Sequence, residues 1–208
     1  MTKTASLLGL FWSTVNQMNQ IKLIVGLGNP GIKYEQTRHN VGFVFIDALC
    51  QKYGLSLKQN KKFYGSAEKV NLHGHSVWLL KPETFMNLSG KAVAALANFY
   101  KISNDEILVV YDELDLPAGS AKLKKGGGHG GHNGLRDIIA MTGNNGFYRL
   151  RLGIDHPGHK SQVVSWVLNR ASSDDEISIG RAIDKSIDIV EDFLDGNFEK
   201  AMKDLHTK

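Results

Sequence analysis

Residues 21–31 read IKLIVGLGNPG, a β-branched apolar run that ends in a glycine-rich turn. A run of this kind predicts a buried central strand over residues 21–25, and a second such run spans residues 107–111. Between the two runs, apolar residues recur at helical spacing from Val41 and again from Val93, which indicates two amphipathic helices. Strands that alternate with helices predict a single globular α/β domain in which helices flank a mixed, largely parallel central sheet.

The C-terminal part of the chain continues both patterns. Arg149 and Arg151 alternate with apolar residues, which is the period of a strand with one buried face, so both arginines are expected on the same side. Residues 174–208 carry an apolar stripe at helical spacing, formed by Ile179, Ile183, Ile187, Val190 and Leu194. This stripe predicts a helix packed on the body of the protein.

Length and composition narrow the class of protein. A chain of 208 residues with 42% hydrophobic content fits one compact domain. No stretch reaches the roughly 18 consecutive apolar residues of a membrane span, so no membrane partner is predicted. The only cysteine, Cys50, lies in an apolar periodic segment and excludes a disulfide framework, which favours a reducing, cytoplasmic location.

The charge is unevenly distributed along the chain. Residues 174–208 hold ten acidic and five basic side chains, which leaves a net charge of +9 on residues 1–173 and −5 on the tail. A body this basic would attract a polyanion such as nucleic acid. On charge alone, an ordinary solvated basic surface is an equal alternative.

The N-terminal segment has no place in the pattern of strands and helices. We predict that residues 1–20 form an extension and that the domain spans residues 21–208. Either translation begins at Met18 or residues 1–17 are disordered. Lys3 and the apolar residues after it resemble a signal peptide only faintly, because no small-residue cleavage site follows cleanly.

The glycine turn after the first strand matches the dinucleotide-binding pattern G-x-G-x-x-G over residues 26–31. That motif requires a helix to open at the turn, but residues 32–38 lack helical apolar spacing. It also requires an acidic residue about 20 positions on at the end of a second strand, whereas Asp47 lies inside the predicted helix. A nicotinamide- or flavin-dependent oxidoreductase is therefore disfavoured, and a purely structural glycine turn stays open.

A histidine in a loop, His39, precedes the first predicted helix, and Asp112 follows the second buried strand. Sites in open α/β sheets form at the carboxyl ends of strands, which places Asp112 where it could orient a base. A carboxylate bonded to one ring nitrogen would fix the tautomer and leave the other nitrogen to take a proton from water. The alternative is a structural histidine.

A glycine loop over residues 126–134 is the third candidate for a site. Six glycines in nine residues, Gly130 among them, would let a substrate approach the backbone closely, and Asn133 offers an amide donor for a developing oxyanion. A flexible loop without function is the alternative. Histidine pairs occur here and elsewhere, but none has a recognised zinc pattern and no cysteine is available beside them. No metal and no cofactor are predicted.

Together these segments resemble the bacterial peptidyl-tRNA hydrolase family from about Ile21 onward. The single motifs are modest, but their joint order is specific. The matching stretches are residues 24–31 (IVGLGNPG), 37–42 (TRHNVG), 81–90 (KPETFMNLSG), 112–117 (DELDLP), the glycine loop through 133–135 (NGL), and 149–153 (RLRLG).

The resemblance implies roles for particular residues. His39 would be the general base and Asp112 would stabilise its protonated form. Asn29 would help distinguish N-blocked peptidyl-tRNA from free aminoacyl-tRNA. The residues expected to contact the 3′ end and the peptide, or to line the same cleft, are Tyr34, Phe85, Met86, Asn87, Gly130 and Asn133. The residues expected to hold the tRNA 5′ phosphate are Lys124 and Arg151.

The implied activity is metal-independent hydrolysis of the ester between a peptide and the 3′ ribose of tRNA, which recycles tRNA from prematurely released peptidyl-tRNA. The implied protein is a monomer, with stalled ribosomal subunits as a possible further partner. A non-catalytic module that binds tRNA or the ribosome is the competing hypothesis. Such a module would lack His39 or Asp112 while keeping the basic residues, and both are present.

Overall fold

The computed structural model describes residues 20–206, so the predictions for residues 1–17 lie outside the described residues. Seven strands form one sheet in the order β2-β3-β4-β1-β5-β7-β6. The strands are β1 Leu23–Gly26, β2 Lys58–Asn60, β3 Gly65–Leu72, β4 His75–Pro82, β5 Ile107–Glu113, β6 Ala121–Lys125 and β7 Tyr148–Gly153.

The centre of the sheet is parallel and its edges are antiparallel. Strand β1 pairs in parallel with β4 and β5, and β5 pairs in parallel with β7. Strands β2, β3 and β6 add antiparallel partners outside this centre. Gly26 at the end of β1 is in register with Val110 of β5, so the chain leaving β1 emerges beside Asp112. The mixed α/β fold with a parallel centre is as predicted.

Helices cover both faces of the sheet. They are α1 Val41–Tyr53, α2 Ser89–Tyr100, α3 Asn133–Thr142, α4 Val163–Val167, α5 Ser173–Asp188, α6 Val190–Leu194 and α7 Phe198–His206. One apolar core lies between the sheet and helices α1, α5, α6 and α7, and a second lies between the sheet and helices α2 and α3. Cys50 is buried in the first core, as its periodic segment predicted. None of the helices in residues 20–206 is long and apolar enough to cross a bilayer.

Close packing fixes the start of α1 against the sheet. A Cβ atom on Gly42 would lie 2.4 Å from both the backbone nitrogen of Leu27 and the carbonyl oxygen of Val110, so only glycine fits there. The three-residue turn immediately before α1, Arg38–Asn40, is a 3-10 helix that carries His39. The ends of β1 and β5 therefore hold this turn in place.

Three details differ from the sequence predictions. On the polar face of strand β7, Arg149 is buried at only 1% exposure, whereas Arg151 is half-buried. The C-terminal stripe is not one helix, since α5 ends at Asp188 and the chain continues as α6 and α7; four of its five apolar residues are nevertheless buried. The first strand begins at Leu23 rather than at residue 21.

Candidate active site

The carboxyl ends of β1 and β5 open into a cavity of about 940 Å³. The eleven residues that the sequence singled out all line it: Asn29, Tyr34, His39, Phe85, Met86, Asn87, Asp112, Lys124, Gly130, Asn133 and Arg151. They come from nine separate segments of the chain, and the parallel centre of the sheet brings them together. Their chemical roles remain predictions.

His39 and Asp112 are in direct contact. The Nδ1 atom of His39 lies 2.9 Å and 3.0 Å from the two carboxylate oxygens of Asp112. Both residues are buried, with Asp112 only 3% exposed. An ionised carboxylate only accepts hydrogen bonds, so Nδ1 carries the proton and donates it. The other ring nitrogen, Nε2, is left with a free lone pair, which is the requirement for a base.

The pKa values of the pair follow from burial and charge. Burial alone would lower the pKa of His39, but the charge of Asp112 and its hydrogen bond outweigh burial and raise that pKa above its ordinary value. Burial alone would raise the pKa of Asp112, but the two neighbouring histidines, His39 and His132, hold it well below its ordinary value. Asp112 is therefore ionised over the whole physiological range.

His132 is a third member of this cluster, and the sequence predictions missed it as a partner of Asp112. Its Nε2 atom lies 3.0 Å from the Asp112 Oδ1 atom, and its Nδ1 atom accepts the backbone N–H of Leu135 at 3.3 Å. Because Nδ1 accepts, Nε2 carries the proton and donates to Asp112. Its ring lies 5.0 Å from that of His39. The only signal in the sequence was its position just before a helix, where a side chain can cap the first turn.

The three side chains also form the one group in residues 20–206 whose ligand atoms lie close enough to hold a metal ion, within 4.8 Å of one another. The spacing of histidines along the sequence did not reveal this group. In the observed geometry both histidines donate ring protons to the carboxylate, so a cation would have to displace two hydrogen bonds.

Asn29 is held by three hydrogen bonds. Its backbone exchanges two of them with the side chain of Asn40, at 2.8 Å and 3.0 Å. Its side-chain oxygen accepts the backbone N–H of Met86 at 2.8 Å. Since the oxygen is engaged, the amide nitrogen is the end of the side chain that a ligand can use. The residue is only 6% exposed, so this donor is rigid and largely shielded from water.

Asn133 also presents a side-chain amide to the cavity. It is the first residue of α3, and its side-chain oxygen accepts from Arg136 at 3.0 Å. Tyr34 and Phe85 form an edge-to-face aromatic pair at the rim, with ring centroids 6.3 Å apart. Phe85 is 54% exposed, so its ring is accessible from the cavity.

Arg149 is bonded to the glycine loop. The sequence pattern predicts this arginine on the face of its strand that is not buried, but its side chain is buried. The guanidinium of Arg149 donates to the carbonyl oxygens of Gly127 and Gly128. Gly130 adopts a φ of 55°, in the left-handed region. Burial lowers the pKa of Arg149, although it stays charged.

A basic wall completes the cavity. Arg151 lines the cavity and bonds to Glu113 through Nε at 2.9 Å. Lys124 and Arg149 are in register on β6 and β7, and Arg151 lies two residues further along the same face. Further cationic lining comes from Arg136 and Lys160. This wall is suited to an anionic group next to the histidine cluster.

Comparison with known proteins agrees with this geometry. The family model for peptidyl-tRNA hydrolase matches residues 23–208. This chain belongs to the peptidyl-tRNA hydrolase family. Hydrolysis of peptidyl-tRNA is the activity of that family, and the predicted enzyme class, an ester hydrolase, is confirmed.

Individual peptidyl-tRNA hydrolases are similar over nearly their whole length. One from Methylobacillus flagellatus is 57% identical over 191 residues, which cover 92% of this chain and 99% of the relative. One from Neisseria meningitidis serogroup C is 56% identical over 190 residues, which cover 91% and 99%. The crystal structure of peptidyl-tRNA hydrolase from Acinetobacter baumannii superposes with a TM-score of 0.89 at 46% identity, and covers 92% of this chain and 97% of that one.

The peptidyl-tRNA hydrolase fold also explains the glycine turn. The dinucleotide motif needs a helix that starts at the turn, but here Gly31 is followed by a short 3-10 helix, Ile32–Tyr34, with no buried residue. After this turn, the next α-helix begins only at Val41. The turn instead places Asn29 in the cavity. The interpretation of this segment as a purely structural glycine turn did not predict a side chain there.

Proposed function

We propose that this protein hydrolyses the ester between a peptide, or an N-blocked aminoacyl group, and the 3′-terminal ribose of tRNA, with His39 as the general base. The observation that carries the proposal is the bond from His39 Nδ1 to both oxygens of Asp112, which leaves Nε2 as the acceptor at the cavity. Such an activity returns tRNA from prematurely released peptidyl-tRNA to translation.

The reaction needs one water molecule and no covalent enzyme intermediate. Nε2 of His39 takes a proton from water while the oxygen attacks the ester carbonyl, and the imidazolium that forms is stabilised by Asp112. The carbonyl oxygen becomes an oxyanion, for which the amide nitrogen of Asn133 is the candidate donor. The imidazolium then protonates the departing ribose oxygen, which releases free tRNA and the peptide acid.

Two contributions account for most of the expected acceleration. General-base catalysis contributes roughly 10²- to 10⁴-fold. Each preorganised donor to the oxyanion contributes about 3 to 4 kcal/mol in well-studied hydrolases. Because an ester is a more reactive acyl compound than an amide, these contributions support a metal-free mechanism.

Asn29 supplies a physical basis for selecting N-blocked substrates. Its free amide nitrogen is a donor, because its oxygen is already bonded to Met86. A peptide or N-acetyl group offers a carbonyl acceptor next to the reacting ester. A free aminoacyl ester offers an ammonium group, which is a donor, and two donors facing each other in a shielded site are unfavourable.

The tRNA itself would be held outside the reacting centre. We propose that Lys124 and Arg151 bind the 5′ phosphate and that Tyr34, Phe85 and Asn87 contact the 3′ end and peptide. Cations of this kind position a nucleic acid through its phosphates.

Three further proposals concern the protein in the cell. It acts as a monomer, since residues of one chain form the whole cavity, and a molar mass near 23.0 kDa by light scattering would support this. It acts in the cytoplasm, where peptidyl-tRNA is produced; fractionation tests this. It also meets stalled ribosomal subunits, which cosedimentation at physiological salt would detect.

The deciding experiment compares N-acetyl-aminoacyl-tRNA with unblocked aminoacyl-tRNA as substrates of the purified protein. Release of tRNA from the first alone, lost in the His39→Ala variant, supports the proposal. Binding of both without release would instead favour the non-catalytic tRNA-binding module. Full turnover by His39→Ala would overturn the assignment of the base.

A further inference from the structure

One wall of the catalytic cavity is a segment that is attached to the histidine turn. Residues 163–170, here called the cover segment, comprise α4 and the three residues that follow it. Four of its apolar side chains line the cavity: Val163, Val164, Val167 and Leu168. Val164 is 68% exposed, so this wall is in contact with solvent when no substrate is bound.

The attachment is made by Arg38, the residue that precedes His39. Its Nη1 atom donates to three carbonyl oxygens of the cover segment, those of Trp166, Asn169 and Arg170, at 3.3, 3.4 and 2.8 Å. The backbone N–H of Arg38 donates to Asn169 as well, at 3.1 Å. An arginine side chain at the end of a helix satisfies carbonyl groups that the helix leaves unpaired.

Trp166 extends this attachment to the sheet. The guanidinium of Arg38 lies over its ring, 3.7 Å from the centroid. Its indole N–H donates to the carbonyl oxygens of Ile154 and Asp155, at 3.1 and 2.9 Å. These two residues directly follow β7. The indole is therefore fixed on one side by the cation and on its edge by the chain leaving the central sheet.

Arg38 occupies a buried position that is energetically unfavourable for a charged side chain. It is only 8% exposed, and its Nε atom is buried without a partner. Its nearest ion pair, to Asp175, is long at 3.9 Å. Burial lowers the pKa of its guanidinium, although the group stays charged. The stack and the three carbonyl bonds offset this cost, and they do so only while the cover segment lies against the turn.

The C-terminal end of the turn is held by Asn40, which exchanges two hydrogen bonds with the backbone of Asn29. The turn is a three-residue 3-10 helix without a side-chain cap. On one side it is held by the bond between His39 and Asp112, and on the other side by Arg38 and the cover segment.

We propose that Arg38 is a positioning residue that couples the seating of the cover segment over the substrate to the alignment of the base on Asp112. Arg38 and Trp166 together form a latch between the two. When the latch opens, the cavity loses an apolar wall and the histidine turn loses the hydrogen bonds that Arg38 makes to the cover segment. This inference rests on the proposed role of His39.

The test is Arg38→Lys, because an ammonium group cannot stack on the indole and reach three carbonyls together. We expect kcat/KM on peptidyl-tRNA to fall about 10- to 100-fold, with kcat reduced as well as KM raised, since small misplacements of a base are costly. We also expect the acid limb of the pH–rate profile to move towards the ordinary pKa of histidine, about 6.5. Destabilisation alone would not move that limb.

Trp166 reports on the latch directly. In a background with Trp12→Phe and Trp78→Phe it is the only tryptophan, and Arg38→Lys should increase quenching of its fluorescence by acrylamide. Arg181→Lys is the matched control, since that arginine is exposed on α5 and lies outside the cover segment; its kinetics should equal those of the wild type.

If Arg38→Lys does not fold, Trp166→Leu tests the same contact from the other side and should show the same kinetic losses. A folded variant of either kind with wild-type kcat, KM and acid limb overturns the latch. That outcome differs from a failure of the proposed function, which an active His39→Ala variant would reveal.

Discussion

Replacing Asp112 with asparagine should lower kcat about 1,000-fold. The carboxylate is 3% exposed and accepts from two histidines, His39 and His132. Opposite unit charges about 4 Å apart attract by about 4 kcal/mol at an effective dielectric constant of about 20. That interaction is made when the base becomes charged in the transition state, and about 1.4 kcal/mol corresponds to a tenfold change in rate. The asparagine NH₂ group would also face the Nδ1 proton of His39, which disfavours the productive tautomer.

The assay is turnover of N-acetyl-aminoacyl-tRNA at saturating substrate across pH. Because Asp112 raises the pKa of His39, the base is lost as pH falls through a value above the ordinary one. Without the carboxylate, burial alone remains and lowers that pKa, so the acid limb should move to lower pH. Asp115→Asn is the matched control, since Asp115 lines the same cavity but is exposed. A kcat within about threefold of wild type and an unmoved acid limb would refute the assigned role.

Three further outcomes are expected. Replacing Lys124 and Arg151 together with alanine should raise KM for full-length peptidyl-tRNA and flatten the dependence of log affinity on log salt by up to about two units. Cleavage of a minimal ester that lacks the tRNA body should be unaffected; a loss of kcat there would place the two residues in the catalytic centre. Prolonged EDTA treatment should leave activity intact, and an enzyme that zinc restores after chelation would contradict the metal-free mechanism. Deleting residues 1–17 should leave the rate unchanged, whereas aggregation or a lower rate would show that the segment packs on the domain.

The sequence predicted the neighbourhood of the site well, because parallel strands bring their carboxyl ends to one edge of the sheet. The run before Gly26 and the run before Asp112 were both recognisable as buried strands, and the structure pairs them in parallel, so that their carboxyl ends lie side by side. The helix from Val41 then fixed where His39 had to lie.

The position of His132 could not be predicted in the same way. Whether its ring reaches Asp112 depends on the path of the glycine loop, in which Gly126, Gly127 and Gly131 all have positive φ values. Glycine populates positive and negative φ about equally, so the sequence leaves that path undetermined. The burial of Arg149 was missed for a related reason, because its partners are backbone carbonyls of the same loop and leave no trace in side-chain periodicity.

The hydrogen bonds from Arg149 to the glycine loop affect the thermodynamics of substrate binding. Ordering the backbone of one residue costs about 1 to 2 kcal/mol, and more for glycine than for other residues. Because Gly127 and Gly128 are already bonded to the guanidinium, that part of the cost falls on folding and is not subtracted from substrate affinity. Since the carbonyl and the next amide of a planar trans peptide point in opposite directions, the N–H groups of residues 128 and 129 face away from the arginine. The loop therefore offers two prealigned N–H donors, and substrate binding should show a smaller entropic penalty than a flexible loop with six glycines in nine residues would otherwise impose.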